Sequence, residues 1–155
     1  GLYDPARRLL DDALRAEERA VPRDDSTLAA LLDAAGVVAS EKGDFDDAER
    51  YLQRALATRR ATATDDAPLA PTLMALAALR ARQGRPAEAE SLYRRVLATH
   101  ARAGDAAGGP AGRAADARRA RALMGLAAVH WSGGHLDRAE PLMREALAIQ
   151  ERTLG

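Results

Sequence analysis

Three histidines are the side chains of this 155-residue sequence best suited to metal binding or to proton transfer near neutral pH. They are His100, His130 and His135, and none lies in a metal-ligand spacing such as H-E-x-x-H. His130 and His135 flank the pair Gly133-Gly134, where a turn would make a shared ligand role awkward. A metal site needs three or four convergent ligands, so we predict none here.

Nucleophiles and paired carboxylates do not form a catalytic pattern either. The chain has no cysteine, and none of its serines lies in a G-x-S-x-G motif. Neighbouring residues on a helix point about 100° apart, so adjacent carboxylates do not converge on one reacting atom. The sequence therefore predicts no catalytic residue, no enzymatic activity and no cofactor. The adjacent acidic pairs are Asp11-Asp12, Glu17-Glu18, Asp24-Asp25, Asp46-Asp47 and Asp65-Asp66.

A cluster of arginines between Arg113 and Arg121 is the one stretch that invites a nucleic-acid interpretation. It contains no aromatic residues, and the 23 basic side chains of the whole sequence are balanced by 23 acidic ones. We predict a solvated helix face and no nucleic-acid partner. No apolar run approaches the roughly 18 residues that a membrane span needs, so no membrane association is predicted.

The elements that must position these residues are helices arranged in repeats. Ala and Leu dominate an apolar content of 47%, and aromatic residues make up 3%, which favours helices over strands. A glycine followed by an apolar residue two positions later and an alanine five positions later recurs at Gly1, Gly43, Gly84 and Gly134. Each recurrence continues with apolar residues at i, i+3 and i+4 on one helical face. The pattern predicts helix–turn–helix units with glycine in the left-handed conformation at the turn.

Seven helices follow from this periodicity. Asp25 or Ser26 is expected to cap the second helix, and Asp44 with Asp47 resembles a capping box for the third. Pro141 is expected within the first turn of the last helix or at a slight kink. The predicted helices are 5–20, 26–42, 45–61, 69–83, 86–102, 112–132 and 136–153.

These repeats resemble the tetratricopeptide repeat (TPR) family. The segments that match include Ala35-Gly36, Gly43, Phe45, Ala48 and Ala55-Leu56, and the period near 42 residues is similar to the bacterial kinesin-light-chain variety. The resemblance implies an all-α, TPR-like α-solenoid of antiparallel helix hairpins covering residues 1–155. Its expected parts are the second helix of an incomplete repeat, 1–20, and three repeats, 26–61, 69–102 and 112–153.

The resemblance also implies a concave groove lined by the first helix of each repeat. Carried onto this sequence, the lining is small and apolar with a few charges, and Trp131 is either a groove anchor or part of the inter-repeat core. The expected partner-binding residues are Asp33, Val37, Glu41, Met74, Ala78, Arg82, Arg121, Met124, Ala128 and Trp131.

The resulting prediction is a non-catalytic scaffold that binds a peptide or helix of a partner protein. One alternative is a structural spacer in a larger regulatory protein. The other is a self-associating module, since residues 1–78 carry a net charge of −5 and residues 79–155 carry +5. The ends lack the polar caps expected of terminal repeats, which favours a segment of a longer protein and homo-oligomer formation through uncapped ends. A cytoplasmic location is expected from the lack of cysteine and of a signal-peptide pattern.

Overall fold

A computed structural model describes residues 3–20, 24–103 and 109–154 of the chain. The described residues form seven α-helices and a short 3₁₀ turn, with no strand among them. The expected all-α, TPR-like fold is confirmed, and the helix bounds agree with the predicted ones to within about two residues. The helices are α1 (Tyr3–Arg19), α2 (Asp25–Lys42), α3 (Phe45–Thr62), α4 (Ala70–Arg82), α5 (Pro86–Ala103), α6 (Pro110–Ser132) and α7 (Leu136–Leu154), and the 3₁₀ turn Ala67–Leu69 precedes α4.

Three glycine turns join helices into hairpins, as predicted. Gly43, Gly84 and Gly134 have φ angles of 88°, 71° and 77°, where a side chain would be strained. At the first turn the amide of Asp44 donates to the carbonyl of Ala39 at 2.9 Å, and the amide of Gly43 donates to that of Ser40 at 3.0 Å. The other two turns repeat this pair of hydrogen bonds, so all three helix ends have the same C-terminal cap.

The N-terminal caps differ from the predicted ones. The cap of α2 is Asp24, whose carboxylate accepts from the amide of Ser26 at 2.9 Å and from the hydroxyl of Thr27 at 2.7 Å. These bonds, that of Thr27 first, lower the pKa of Asp24. The capping box predicted at Asp44 is wrong, since its side chain makes no cap hydrogen bond and instead pairs with Arg7 at 3.4 Å. A long-range ion pair outcompetes the local cap there.

Pro141 lies inside α7, five residues after the helix begins at Leu136, rather than in its first turn. The helix continues to Leu154, so the missing N–H of Pro141 does not end it.

The chain forms two compact units, Gly1–Leu79 and Arg80–Gly155, each with its own core. In the first unit, the leucines of α2 pack against α1 and α3. Leu28, Leu32 and Leu52 are all at most 1% exposed. Gly36 of α2 lies so close to α3 that a Cβ there would stand 2.6 Å from Cγ of Leu52, so only glycine fits this approach.

The second unit packs α6 against both α5 and α7. Ala120 and Leu123 of α6 form a buried cluster with Ala146 and Ile149 of α7. Burial also raises the pKa of Tyr93 on α5, whose ring lies against α6. Whether residues 1–155 form a single solenoid with the repeat boundaries predicted above stays a prediction.

Candidate partner-binding surface

The predicted site residues of the first unit lie on α2 and α4 and differ in accessibility. Val37 is 45% exposed, and Glu41 and Ala78 are also exposed. Met74 is half-buried. Val37 and Ala78 occupy corresponding positions, six residues before the turn glycine of their hairpins, so the two repeats expose the same helical position.

Asp33 differs from the other predicted site residues because an internal partner holds it. Its Oδ2 lies 2.6 Å from Nη2 of Arg59 on α3, and both side chains are 14% exposed. Nε of Arg59 also donates to the hydroxyl of Thr72 on α4 at 3.0 Å, so one guanidinium joins three helices. The second oxygen, Oδ1, is buried without a hydrogen-bond partner among the described residues. The charge of Asp33 is thus paired with Arg59 within the first unit.

In the second unit, α6 presents a single line of exposed residues. We call it the α6 stripe. Between Ala117 and Trp131, all residues of α6 that do not belong to this line are buried or half-buried. The spacing of four, three, four and three residues keeps the stripe on one side of the helix. The α6 stripe consists of Ala117, Arg121, Met124, Ala128 and Trp131.

The α6 stripe contains four of the predicted site residues and ends at the only tryptophan of the chain. Met124 is 43% exposed and Trp131 is 60% exposed, whereas Leu123 and Leu126 on the opposite side are 2% and 4% exposed. Trp131 is therefore not part of the core of the second unit. Two large apolar side chains remain exposed on a helix whose other large apolar residues are buried.

The one charged residue of the α6 stripe is Arg121, for which the described residues provide no hydrogen bond or ion pair. Its neighbours in the arginine cluster differ. Arg119 pairs with Glu145 of α7 at 2.6 Å, and Asp116 pairs with Arg152 of α7 at 3.5 Å. Part of the cluster therefore serves the α6–α7 hairpin, while Arg121 faces solvent. Arg82, the remaining predicted site residue, is exposed at the end of α4.

The histidines do not assemble with acidic residues into a metal site in the part of the chain that the structure describes. His130 is 4% exposed, and its Nε2 lies 3.8 Å from a carboxylate oxygen of Glu90 on α5. The ring of His135 meets that of His130 edge-on, with centroids 6.3 Å apart. The side chain of His100 lies outside the described ones. His130 thus packs within the second unit rather than facing a cleft.

Two ion pairs that involve a largely buried arginine were not predicted from the sequence. The first is Arg59 with Asp33. The second involves Arg80 of α4. Its side chain is 13% exposed, and its Nε lies 3.2 Å from Glu88 of α5. The apolar periodicity contains no signal for either pair, because the partners lie on different helices.

Comparison with known proteins assigns the repeats. Two family profiles, both described as tetratricopeptide repeat, match the chain, one at residues 28–66 and 119–155 and the other at residues 72–107. The chain belongs to the tetratricopeptide repeat family. TPR repeats generally mediate protein–protein interactions, and the family is typically a non-catalytic scaffold.

A solved structure supports the fold of this TPR chain. The crystal structure of BtubC (BKLC) from P. vanneervenii superposes with a TM-score of 0.77 at 21% sequence identity. The match covers 98% of this chain and 58% of BtubC, so the chain spans a little over half the length of that protein. A search of curated proteins gives no significant match. Among the described residues, no helix of the TPR chain combines the length and apolar character needed to cross a membrane.

Proposed function

We propose that this TPR chain is a non-catalytic scaffold that binds a peptide or helix of a partner protein, with the α6 stripe as the main anchor. The observation that carries the proposal is the exposure of Met124 and Trp131 on a helix whose other large apolar side chains are buried. Water-exposed apolar residues that line up on one side of an element mark interaction sites more often than isolated ones do.

The composition of the α6 stripe supports the recognition of a protein segment. Tryptophan is among the residues that contribute most to binding at interfaces, and methionine adapts to irregular apolar partners. Ala117 and Ala128 lie between the large side chains and let a partner backbone approach the helix. Arg121 adds a cation that is available for a partner carboxylate.

Corresponding positions of the first unit support the same use of α2 and α4. Val37 is exposed, and Ala78 supplies a small exposed residue at the equivalent place. Asp33 takes no part, because Arg59 holds it. The cytoplasmic location and bacterial origin stay predictions of the sequence.

Selection from a random peptide library displayed on phage tests the proposal. Peptides enriched on the wild-type chain are synthesised, and their affinities are measured by the change in fluorescence of Trp131, the only tryptophan. We expect Met124→Glu to weaken binding at least about tenfold, which corresponds to about 1.4 kcal/mol. The matched control is Leu147→Glu, since Leu147 is 54% exposed on α7 outside the stripe.

Equal affinity for wild type and Met124→Glu would refute the assignment to the α6 stripe. Failure to enrich any peptide would favour the structural spacer instead. Isothermal titration of Trp131→Ala gives the contribution of the indole ring, which fluorescence cannot report once the tryptophan is replaced.

A further inference from the structure

Five residues within the wider exposed face of α1 form a second line, which we call the α1 stripe. Its spacing is four, three, four and three residues, the same as in the α6 stripe. Leu9 is its centre and is 72% exposed, more than any other large apolar residue that the structure describes. The α1 stripe consists of Pro5, Leu9, Asp12, Ala16 and Arg19.

The two stripes match in an antiparallel register. We set Leu9 opposite Met124, with the two helices running in opposite directions. A step of three residues toward the C-terminus of α1 then matches a step of three residues toward the N-terminus of α6. Asp12 then faces Arg121. Helices pack through such i±3 and i±4 rows, so four consecutive pairs fall in step. They are Pro5 with Ala128, Leu9 with Met124, Asp12 with Arg121, and Ala16 with Ala117.

The chemistry of these pairs is complementary. A large apolar residue meets another, a small residue meets a small one, and a carboxylate meets a guanidinium. Arg121 has no ion-pair partner among the described residues, and Asp12 pairs only with Arg15 on its own helix, where both side chains are well exposed. Exposed pairs of that kind contribute little to stability, so Asp12 can exchange its partner at little cost.

The net charges of the two units favour the same encounter. The first unit, Gly1–Leu79, carries −5, and the second, Arg80–Gly155, carries +5. Opposite charges steer the first unit of one molecule toward the second unit of another, more strongly at low salt. At the far end of the register Arg19 stands opposite Ala114, beside Arg113, and this nearby like charge weakens the association.

We propose that the α6 stripe takes a second copy of this chain, whose α1 stripe docks on it in the antiparallel register. This inference rests on the proposed function, because it names the partner of the same surface. The two stripes are different surfaces, so the contact is head-to-tail, and successive contacts either close on themselves, in a dimer or a larger ring, or continue as an open chain. The average mass rises with concentration in both cases.

Charge reversal at the one ionic pair tests the register. Asp12→Arg places two arginines in the contact, and Arg121→Asp places two aspartates there. Both residues are exposed and outside the core, so both variants are expected to keep the wild-type far-UV circular dichroism. Arg138→Asp is the matched control, since Arg138 is an exposed residue of the second unit on α7 and gives the same change of charge.

Sedimentation equilibrium over a concentration series at low salt gives the readout. We expect the average mass of wild type and Arg138→Asp to rise with concentration and to fall when salt is raised. Each reversal alone is expected to weaken association at least about tenfold. An equimolar mixture of Asp12→Arg and Arg121→Asp regains the wild-type behaviour, because every contact between the two variants pairs opposite charges.

Three outcomes would overturn the inference: a wild-type chain that stays monomeric at low salt and high concentration, association that neither reversal weakens, or a mixture that stays as weak as its components. The first leaves the proposed function standing if library peptides still change the fluorescence of Trp131. Conversely, association that depends on Asp12 and Arg121 in a chain that enriches no peptide would restrict the α6 stripe to self-recognition.

Discussion

The ion pair between Asp33 and Arg59 allows a quantitative test of how the first unit is held together. We consider three variants: Asp33→Met, Arg59→Gln and the double variant. The replacements are residues that the chain itself carries at corresponding positions, since Met74 and Met124 stand where Asp33 does, ten residues before a turn glycine, and Gln150 corresponds to Arg59.

The magnitudes follow from burial and geometry. At a charge separation of roughly 4 Å and an effective dielectric constant of about 20, the attraction is about 4 kcal/mol. Removing two ions from water costs several kcal/mol, so the pair as a whole contributes little net stability. The orphaned Oδ1 of Asp33 adds to that cost. The double variant should therefore unfold within about 1 kcal/mol of wild type.

The single variants should be worse than the double. Arg59→Gln leaves the carboxylate of Asp33 half-buried without its cation, and we expect a loss of about 2 to 3 kcal/mol, less than for a fully buried pair because each side chain is 14% exposed. Asp33→Met should cost about 1 to 2 kcal/mol, since Arg59 keeps its hydrogen bond to Thr72.

Urea unfolding followed by circular dichroism at neutral pH measures all four chains. A coupling energy of about 3 kcal/mol between the two substitutions is expected, because each single change strands the other partner. Additive losses, with the double variant the least stable of the four, would contradict this expectation and show that the pair stabilises the unit directly.

Three further predictions concern single positions. Trp131→Ala should lower the free energy of unfolding by only about 1 kcal/mol, because the side chain is 60% exposed. Leu123→Ala should lower it by about 2 to 5 kcal/mol, because Leu123 is 2% exposed. A loss above about 3 kcal/mol for Trp131→Ala would contradict its assignment to the surface. Gly43→Ala should lower the free energy of unfolding by about 1 to 2 kcal/mol through the positive φ alone, since nothing lies within 4 Å of the added Cβ. An unchanged melting temperature would contradict this. The pKa of Asp24 is lowered in the folded chain, so its charge stabilises the fold above the ordinary pKa of about 4 and loses that effect as the pH falls through the folded-state value. The stability advantage of wild type over Asp24→Asn should therefore disappear in strong acid. An advantage that does not change with pH would show that the charge of Asp24 does not stabilise the fold.

Local features were predictable from the sequence, and contacts between distant residues were not. The helix bounds and the left-handed glycines follow from apolar spacing and backbone sterics within a few residues. The pairing of Asp33 with Arg59 joins residues 26 positions apart, and no local pattern encodes it. Asp44 illustrates the same limit, because Arg7, 37 positions away, draws its carboxylate from the cap.

The surface residues were predictable to an intermediate degree. The resemblance to the family placed Met124, Ala128 and Trp131 on one side of α6, and the structure exposes all three. Whether Trp131 would be covered depended on the size of its neighbours on other helices. That is a property of tertiary packing, and the sequence is compatible with both interpretations of Trp131.

The recurrence of one turn geometry has a consequence for how the protein is made. Each glycine turn closes its hydrogen bonds within six residues, and α2 and α3 pack against each other as neighbours in the chain. Contacts of such short reach form without waiting for distant segments. Because the first unit ends at Leu79, it can fold while it is still attached to the ribosome and the end of the second unit is being synthesised.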